Sequence, residues 1–296
     1  MNGPIGVVGL GIMGGAFTRN LMAGGWRVVG FDVEPARREE ARAGGVEIAA
    51  SVAGVAATCG DIITSLPSPQ AVLEVASAIA GSRSGGLVLI ETSTLSLGHK
   101  AEARRILEAA GHTALDCPIS GTGAQAKARD IVIFASGRAE AIKRLEPAFL
   151  AFARKVHDLG TFGNGSKMKF IANHLVAVHN AATAEAMVLG MKAGLDPHRV
   201  VEVVSSGAGT SRVFELRAPM MAARSYLPAT ARGTMFEKDV KVIGDFAAGL
   251  RCPTPLFDVS ASLHTAVLAT GHDAEDIAAI CEVYAQMAGL PPPASR

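Results

Sequence analysis

Short runs of apolar residues alternate with helical segments through the first half of the chain. The runs are almost continuously apolar, which is typical of strands in a parallel sheet covered by helices on both faces. Six segments are predicted as strands: Ile5–Val8, Val28–Phe31, Ile62–Leu66, Leu87–Ile90, Thr113–Asp116 and Ile131–Ala135. Helical spacing is found between strands at Met13–Met22, Pro35–Ala43, Gln70–Ala80 and Lys100–Ala109. This alternation predicts an α/β fold with a doubly wound sheet, which the last two strands are expected to extend.

The pattern changes near residue 160, beyond which helical spacing dominates. Ser166–Ala193 has no proline and one interior glycine, Gly190, and predicts a helix of about 40 Å. Gly194 is its predicted C-cap. Five more helices are predicted, around His198–Ser205, Arg212–Met221, Lys238–Ala248, Pro255–Ala269 and Ala274–Met287. We therefore predict an α/β domain over residues 1–162 and an all-helical domain over residues 163–296. A long, alanine-rich helix often serves dimerisation, so a homodimer or homotetramer is expected.

Length and charge narrow the class of protein. The 296 residues are enough for two domains of about 150 residues each. Lys and Arg together number 28 against 27 Asp and Glu, and no basic run is present, which argues against a nucleic-acid partner and favours a small molecule. No basic leader and no long apolar segment is found, so the protein is expected to be cytoplasmic with no membrane contact.

The four cysteines, Cys59, Cys117, Cys252 and Cys281, are widely spaced and form no C-x-x-C pair. They predict neither a zinc site nor a disulfide framework, and are expected to be reduced and buried. The histidines are scattered and no H-E-x-x-H segment occurs, so no metal is expected.

The segment Gly9-Leu10-Gly11-Ile12-Met13-Gly14 follows the first predicted strand and opens the first helix. In such a turn the first glycine makes the bend, the second lets a pyrophosphate approach the backbone, and the third allows close helix packing. The helix N-terminus adds free N–H groups and partial positive charge. Asp32 ends the second strand, about twenty residues on, where a carboxylate accepts the ribose hydroxyls. These features predict a nicotinamide dinucleotide. Asp32 favours NAD, although Arg37 and Arg38 keep NADP possible.

Two other segments, Leu66-Pro67-Ser68 and Glu91-Thr92-Ser93-Thr94, close predicted strands. They are expected at the carboxyl edge of the sheet, where ligands of open α/β sheets bind. Two further motifs follow: Asp116-Cys117-Pro118-Ile119-Ser120-Gly121-Thr122, and a segment from Gly163 to Asn173 that includes Lys169.

Together with the glycine loop, these motifs resemble the β-hydroxyacid dehydrogenase family, which includes 3-hydroxyisobutyrate and threonate dehydrogenases and tartronate semialdehyde reductase. The resemblance extends to Phe236-Glu237-Lys238-Asp239 and so covers nearly the whole chain. It implies a Rossmann-type N-terminal domain, an all-helical C-terminal domain similar to that of 6-phosphogluconate dehydrogenases, and an active site between them.

The resemblance also implies roles for individual residues. Lys169 matches the family's catalytic acid/base, and Asn173 matches the asparagine that helps to hold substrate. The implied substrate residues are Ser120, Gly121, Thr122 and Lys238, with Thr122 standing where the family has a second glycine. The strand-end Ser/Thr near the nicotinamide matches Ser93 or Thr94, of which Thr94 is the better candidate. The cofactor residues predicted from the glycine loop and the resemblance together are Gly9, Leu10, Gly11, Ile12, Met13, Gly14, Asp32, Leu66, Pro67, Thr94 and Lys238.

Helical geometry agrees with this role for the lysine. Lys169 and Asn173 are four residues apart and share a helix face, whereas Lys167 points elsewhere. Oxidation of an alcohol requires removal of the hydroxyl proton as hydride leaves the carbon. A lysine can act as that base when burial or nearby positive charge lowers its pKa towards neutrality.

We therefore predict an NAD(P)-dependent dehydrogenase that interconverts a small β-hydroxyacid and its semialdehyde or keto form. Ala172 and Val176 stand where phosphogluconate dehydrogenases carry a His and a Glu, which argues against oxidative decarboxylation. Imine reductases usually lack the lysine. Two alternatives stay open: a reductase of another C=O or C=N substrate, and a non-catalytic NAD-sensing module on the same scaffold.

Overall fold

The computed structural model describes residues 3–292, and the chain divides into two compact units on either side of the Lys169–Phe170 bond. The prediction placed the domain boundary a few residues earlier, after residue 162. The first unit begins with alternating strands and helices, in the order β1 (Ile5–Val8), α1 (Ile12–Ala23), β2 (Val28–Phe31), α2 (Pro35–Ala43), β3 (Glu47–Ile48), α3 (Val52–Thr58), β4 (Asp61–Thr64), α4 (Pro69–Ser82), β5 (Val88–Glu91), α5 (Leu97–Ala109) and β6 (Thr113–Asp116).

These six strands form one sheet in the order β3-β2-β1-β4-β5-β6, and every neighbouring pair is parallel. The strand order reverses between β1 and β4, which is the switch point where doubly wound sheets bind ligands. Successive residues of β1 enter different cores: Val7 packs with Phe17 and Leu21, and Val8 packs with Ile62 and Leu89. Both faces of the sheet are thus covered, as the apolar runs predicted.

A second, smaller sheet follows, made of β7 (Ile119–Ser120), β8 (Val132–Ala135) and β9 (Lys155–Asp158). The helices α6 (Gly123–Lys127) and α7 (Ala139–Phe152) connect its strands. The prediction that Ile131–Ala135 extends the first sheet was therefore wrong. Pro118 follows β6 and has no N–H to donate, so the strand pairing of the first sheet does not continue through it. Beyond it β8 pairs antiparallel with β7 and parallel with β9, and only an isolated bridge joins Asp116 to Ser136.

Helices make up most of the described residues that follow, up to residue 292. They are α8 (Asn164–Lys192), α9 (Pro197–Ser205), α10 (Arg212–Ala223), α11 (Gly233–Gly249), α12 (Pro255–Ala269), a 3-10 turn (Ile277–Ala279) and α13 (Ile280–Met287). The core of the second unit is apolar and includes Ala184, Met187, Phe214 and Met221. The last helix was predicted to begin at residue 274, which was wrong. The Asp276 carboxylate accepts a hydrogen bond from the Ala278 N–H and so caps the turn after residue 276.

Candidate active site

The glycine loop joins β1 to α1 at the switch point of the sheet. Gly9 turns the chain with φ of +90°, and a Cβ on Gly14 would lie 1.8 Å from the Gly9 carbonyl oxygen, so the helix packs against the loop only because residue 14 is glycine. A Cβ on Gly11 would instead meet nothing within 4 Å, and Gly11 begins α1 with no side-chain cap. The N–H groups at the start of α1 are thus uncapped by any side chain, and no side chain covers the backbone at Gly11. This arrangement fits the pyrophosphate of a dinucleotide.

Asp32 lies beside this loop, at the end of β2. Its Oδ2 accepts a hydrogen bond from the Leu10 N–H at 2.7 Å, and its Oδ1 accepts one from the Glu34 N–H at 2.9 Å. Arg38 donates to the carbonyl oxygens of Asp32 and Val33 at 2.6 and 3.0 Å. A carboxylate held in this way fits the ribose hydroxyls of NAD, and the Arg38 guanidinium beside it is a group of the kind that pairs with a 2′-phosphate.

An open cleft of about 520 Å³ begins at the same strand end. Its lining includes Phe31, Val33, Arg38 and Arg42. The Arg38 guanidinium also lies over the Phe31 ring, 5.9 Å from the ring centroid. Arg37, in contrast, pairs with Glu40 on the surface, so the two arginines that the sequence places together have different surroundings.

The loops after β4 and β5 are joined by hydrogen bonds. The Leu66 N–H donates to the Ser93 hydroxyl at 2.9 Å, and the Ser93 N–H donates to Glu91 Oε1 at 2.8 Å. Ser93 is buried and holds the two loops together, whereas Thr94 is half-buried and Pro67 is exposed. The structure therefore brings the predicted cofactor residues of these loops to one sheet edge.

The predicted substrate loop lies between β7 and α6. Thr122 caps α6, since its hydroxyl accepts from the Gln125 N–H at 3.3 Å and its own N–H donates to the Gln125 side chain at 3.0 Å. A Cβ on Gly123 would lie 2.4 Å from Ile12 Cγ2, so this loop lies against the first residue of α1. The substrate and dinucleotide loops are thus neighbours, and the threonine that departs from the family pattern is a helix cap.

Lys169 and Asn173 lie on α8 with exposed fractions of 8% and 7%. Lys167 is exposed, and its ammonium lies 3.2 Å from Asn164 Oδ1, as expected for the opposite face. The Asn173 amide nitrogen donates to Asp239 Oδ2 at 2.7 Å, which fixes the orientation of the amide. The Nζ atom of Lys238, on α11, lies 3.6 Å from Asp239 Oδ1. The prediction named Lys238 but gave Asp239 no role, although the Lys-Asp pair was visible in the sequence.

Within residues 3–292, no group of His, Cys, Asp and Glu has the arrangement of a metal site, and no helix is long and apolar enough to cross a bilayer. His174 stacks on Phe257 with ring centroids 5.0 Å apart. The four cysteines, all within this range, are unpaired; three are buried, but Cys252 is exposed, so the prediction that all four are buried was wrong for that residue.

The chain is similar in sequence and in structure to several known proteins. Residues 4–160 match the family model described as the NAD binding domain of 6-phosphogluconate dehydrogenase. Residues 163–284 match the model described as NAD-binding of NADP-dependent 3-hydroxyisobutyrate dehydrogenase. The L-threonate dehydrogenase of Cupriavidus necator is 35% identical over 289 residues, which are 96% of this chain and 97% of that protein. The chain belongs to the β-hydroxyacid dehydrogenase family.

Solved structures of β-hydroxyacid dehydrogenases match nearly the whole chain. The 3-hydroxyisobutyrate dehydrogenase of Salmonella typhimurium has a TM-score of 0.85 and 30% identity, covering 95% of this chain and 100% of that one. The Mycobacterium tuberculosis 3-hydroxyisobutyrate dehydrogenase, solved with L-serine, has a TM-score of 0.88 and 27% identity, covering 96% and 99%. Imine reductases also match, at 19% identity or less, and show the shared fold alone.

Membership of this β-hydroxyacid dehydrogenase family confirms the predicted fold class, the enzyme class and the cofactor class. The protein is an oxidoreductase that acts on the CH–OH group of its donor with NAD or NADP as acceptor. Its N-terminal part is a Rossmann-type doubly wound sheet followed by an all-helical region. The roles of individual residues stay predictions.

Proposed function

We propose that this enzyme oxidises a small β-hydroxyacid to its semialdehyde or keto form, with Lys169 as the general base, and catalyses the reverse reduction with Lys169 as the general acid. The observation that carries the proposal is the burial of Lys169 on the same face of α8 as Asn173. A lysine removed from solvent in this way is suited to proton transfer rather than to surface hydration. The β-hydroxyacid relatives support the substrate class.

The cofactor would be held by the glycine loop Gly9–Gly14, by Asp32, and by the strand-end residues Leu66, Pro67 and Thr94. Thr94 is preferred to Ser93 because the Ser93 hydroxyl accepts from Leu66. NAD is preferred to NADP, since the Asp32 carboxylate repels a 2′-phosphate. When bound, the nicotinamide accepts or supplies the hydride.

The substrate carboxylate would meet the loop of Ser120, Gly121 and Thr122. Because both capping hydrogen bonds hold Thr122, this loop is ordered before the substrate arrives. Asn173 donates to Asp239 and would accept from the substrate hydroxyl through its carbonyl oxygen, which keeps that hydroxyl beside Lys169. Lys238 contributes a further positive charge, as the family resemblance implies. A homodimer or homotetramer and a cytoplasmic location stay predictions.

The test compares Lys169→Ala with Lys167→Ala, an exposed lysine on the same helix. Both variants and the wild type are assayed with 3-hydroxyisobutyrate, threonate, glycerate, serine and 3-hydroxypropionate, each with NAD and NADP. Loss of the base is expected to lower kcat on the order of 10²–10⁴-fold, whereas cofactor affinity measured by calorimetry stays unchanged. Lys167→Ala should keep full activity. Undiminished turnover in Lys169→Ala would sink the assignment, and cofactor binding without any turnover in the wild type would favour a sensor.

A further inference from the structure

Lys100 is a buried lysine on α5, outside the residues proposed for catalysis. Its side chain is 1% exposed, and its ammonium lies 2.7 Å from Glu91 Oε2 and 2.7 Å from Asp116 Oδ1. Burial opposes the positive charge, but the two carboxylates outweigh it and raise the pKa of Lys100 above its ordinary value. The interior of the α/β unit therefore holds one cation between two anions.

The two carboxylates end neighbouring strands. Glu91 and Asp116 are directly paired in the register of β5 and β6, a position in which like charges repel each other. The Lys100 ammonium lies between the two carboxylates and contacts one oxygen of each, which offsets this repulsion. Each carboxylate also has the capacity to accept further hydrogen bonds.

Asp116 uses that capacity to hold the start of α8. Its Oδ2 accepts from the Ser166 N–H at 2.7 Å, and its Oδ1 accepts from the Ser166 hydroxyl at 2.8 Å. The Gly165 N–H donates to Ser136, whose hydroxyl donates to the Asp116 carbonyl oxygen. A Cβ on Gly165 would lie 2.6 Å from that same oxygen, so the helix rests directly on the strand end. Ser166 precedes Lys169 by three residues, and the two therefore share a helix face.

Glu91 uses the same capacity at the other side of the ammonium. Its Oε1 accepts from the Ser93 N–H at 2.8 Å, and Ser93 in turn accepts from the Leu66 N–H. The contacts of Lys100 thus reach both strand-end loops proposed to hold the cofactor and, through Asp116, the first turn of the helix that carries Lys169.

We propose that Lys100 is a positioning residue that sets the cofactor loops and the first turn of α8 in one geometry, by holding the carboxylates of Glu91 and Asp116 in contact with its ammonium. The inference rests on the proposed function for the role of Lys169. Hydride and proton transfer need reacting atoms aligned to within a fraction of an ångström, so the expected effect is on kcat rather than on substrate KM.

The test uses Lys100→Met, which keeps an unbranched side chain one atom shorter and removes the charge, and the double variant Glu91→Gln/Lys100→Met. The double variant restores the wild-type buried charge, since one carboxylate then replaces a cation with two carboxylates, but it removes the ionic link. Arg105→Met is the matched control, because Arg105 pairs with Glu102 on the exposed face of α5. The readouts are kcat, substrate KM, the Kd for NADH, thermal midpoint, and amide hydrogen exchange of residues 92–96 and 164–170.

Lys100→Met is expected to lower kcat on the order of 10- to 100-fold with a smaller change in KM, to weaken NADH binding, and to speed exchange in both segments. The double variant should regain thermal stability but not kcat or protection. Arg105→Met should match the wild type. If the double variant regains kcat as well, Lys100 is merely balancing charge and the proposal is overturned. The double variant carries the test if Lys100→Met fails to fold.

The two hypotheses fail in different ways. Hydrogen exchange and NADH binding report on the loops and the helix start without any turnover, so unchanged values in both Lys100 variants overturn the positioning role even if Lys169 is the base. Conversely, full activity in Lys169→Ala would overturn Lys169 as the base, but it would not affect the hydrogen-exchange result for the Lys100 variants.

Discussion

The starts of helices α1 and α8 meet opposite requirements. At α1, Gly11 gives no side-chain cap and a Cβ there would meet nothing within 4 Å, so the N–H groups and the partial positive charge of the helix start are left open. At α8, the buried Asp116 carboxylate accepts from both the N–H and the hydroxyl of Ser166. An open helix start is suited to reversible binding of an anionic ligand, whereas a start that is capped by a carboxylate of the protein itself has a fixed direction. The difference agrees with the binding role proposed for the start of α1 and the alignment role proposed for the start of α8.

The closed start can be opened by Asp116→Ala, the change with the largest expected effect. It removes the cap of α8 and leaves Lys100 with a single carboxylate, and breaking a buried ion pair from one side costs about 3–5 kcal/mol of unfolding free energy. Urea denaturation followed by circular dichroism measures it. The control is Asp61→Ala, which breaks a pair with Arg144 near the surface and is expected to cost less than about 1 kcal/mol. Equal losses in the two variants would mean that the buried cap has no special weight.

Two carboxylates raise the pKa of the buried Lys100, whereas burial lowers the pKa of His264 in the helical unit. His264 lies 5.0 Å from the Phe236 ring, between ring centroids, and burial lowers the pKa of its imidazole from 6.5 to about 4. With the folded pKa below the unfolded one, the stabilisation is complete above pH 6.5 and is lost as the pH falls towards 4. Between pH 7.5 and 5.0 the wild type should lose about 2 kcal/mol of unfolding free energy relative to His264→Leu.

Urea titrations at the two pH values check this difference. His272, which pairs with Glu275 on the surface, supplies the control: His272→Gln should keep the wild-type loss. A wild type and a His264→Leu variant with the same pH dependence would show that the His264 ring is already charged, or reached by water, in the folded protein.

The open start at α1 is tested by Gly11→Ala. Nothing in the protein lies within 4 Å of the added methyl group, so thermal stability should not fall. The methyl group would occupy ligand space, and the Kd for NAD should rise about tenfold, which corresponds to about 1.4 kcal/mol. Gly98→Ala on α5 adds a methyl group in equally open space and should leave NAD binding unchanged. Unchanged affinity in Gly11→Ala would place the pyrophosphate elsewhere.

The smallest expected effect concerns cofactor choice at the same edge. Arg38→Ala removes the guanidinium that is held by the carbonyl groups of Asp32 and Val33. It should lower kcat/KM for NADP about threefold more than kcat/KM for NAD, a difference that corresponds to less than about 1 kcal/mol. Arg37→Ala should change neither ratio, because Arg37 pairs with Glu40. A larger loss with NAD than with NADP would contradict the position given to the 2′-phosphate.

The sequence predicted most of the elements that are long or buried on both faces. Every strand of the first sheet except β3 was predicted from its apolar residues, and α2 and α12 were predicted with the bounds that the structure has. The elements β3 and β7 have two residues each, too few for a period to show. In contrast, α7 was missed although its buried residues Ile142, Leu145 and Phe149 recur at helical spacing.

At the site, local motifs were easier to predict than partners from distant parts of the chain. The glycine loop, Asp32 and the Lys169–Asn173 spacing are readable because each lies within one turn or one helix face. The contact of Asp116 with Ser166 joins residues 50 positions apart and depends on the sheet register. One signal for Lys100 was available: it occupies the buried face of α5 with Ala103 and Leu107, where a lysine requires buried anions nearby.

The three buried charges on β5, β6 and α5 also constrain how this enzyme can change over generations. Replacing Lys100 alone leaves two buried carboxylates without their cation. Replacing Asp116 alone leaves Lys100 with one carboxylate and removes the hydrogen bonds at the start of α8. Intermediates along either single-step route carry the full penalty of an unmatched interior charge. Lineages can therefore exchange these side chains only in concert, and descendants are expected to inherit Glu91, Lys100 and Asp116 together or to have lost the lysine along with one of its two acids.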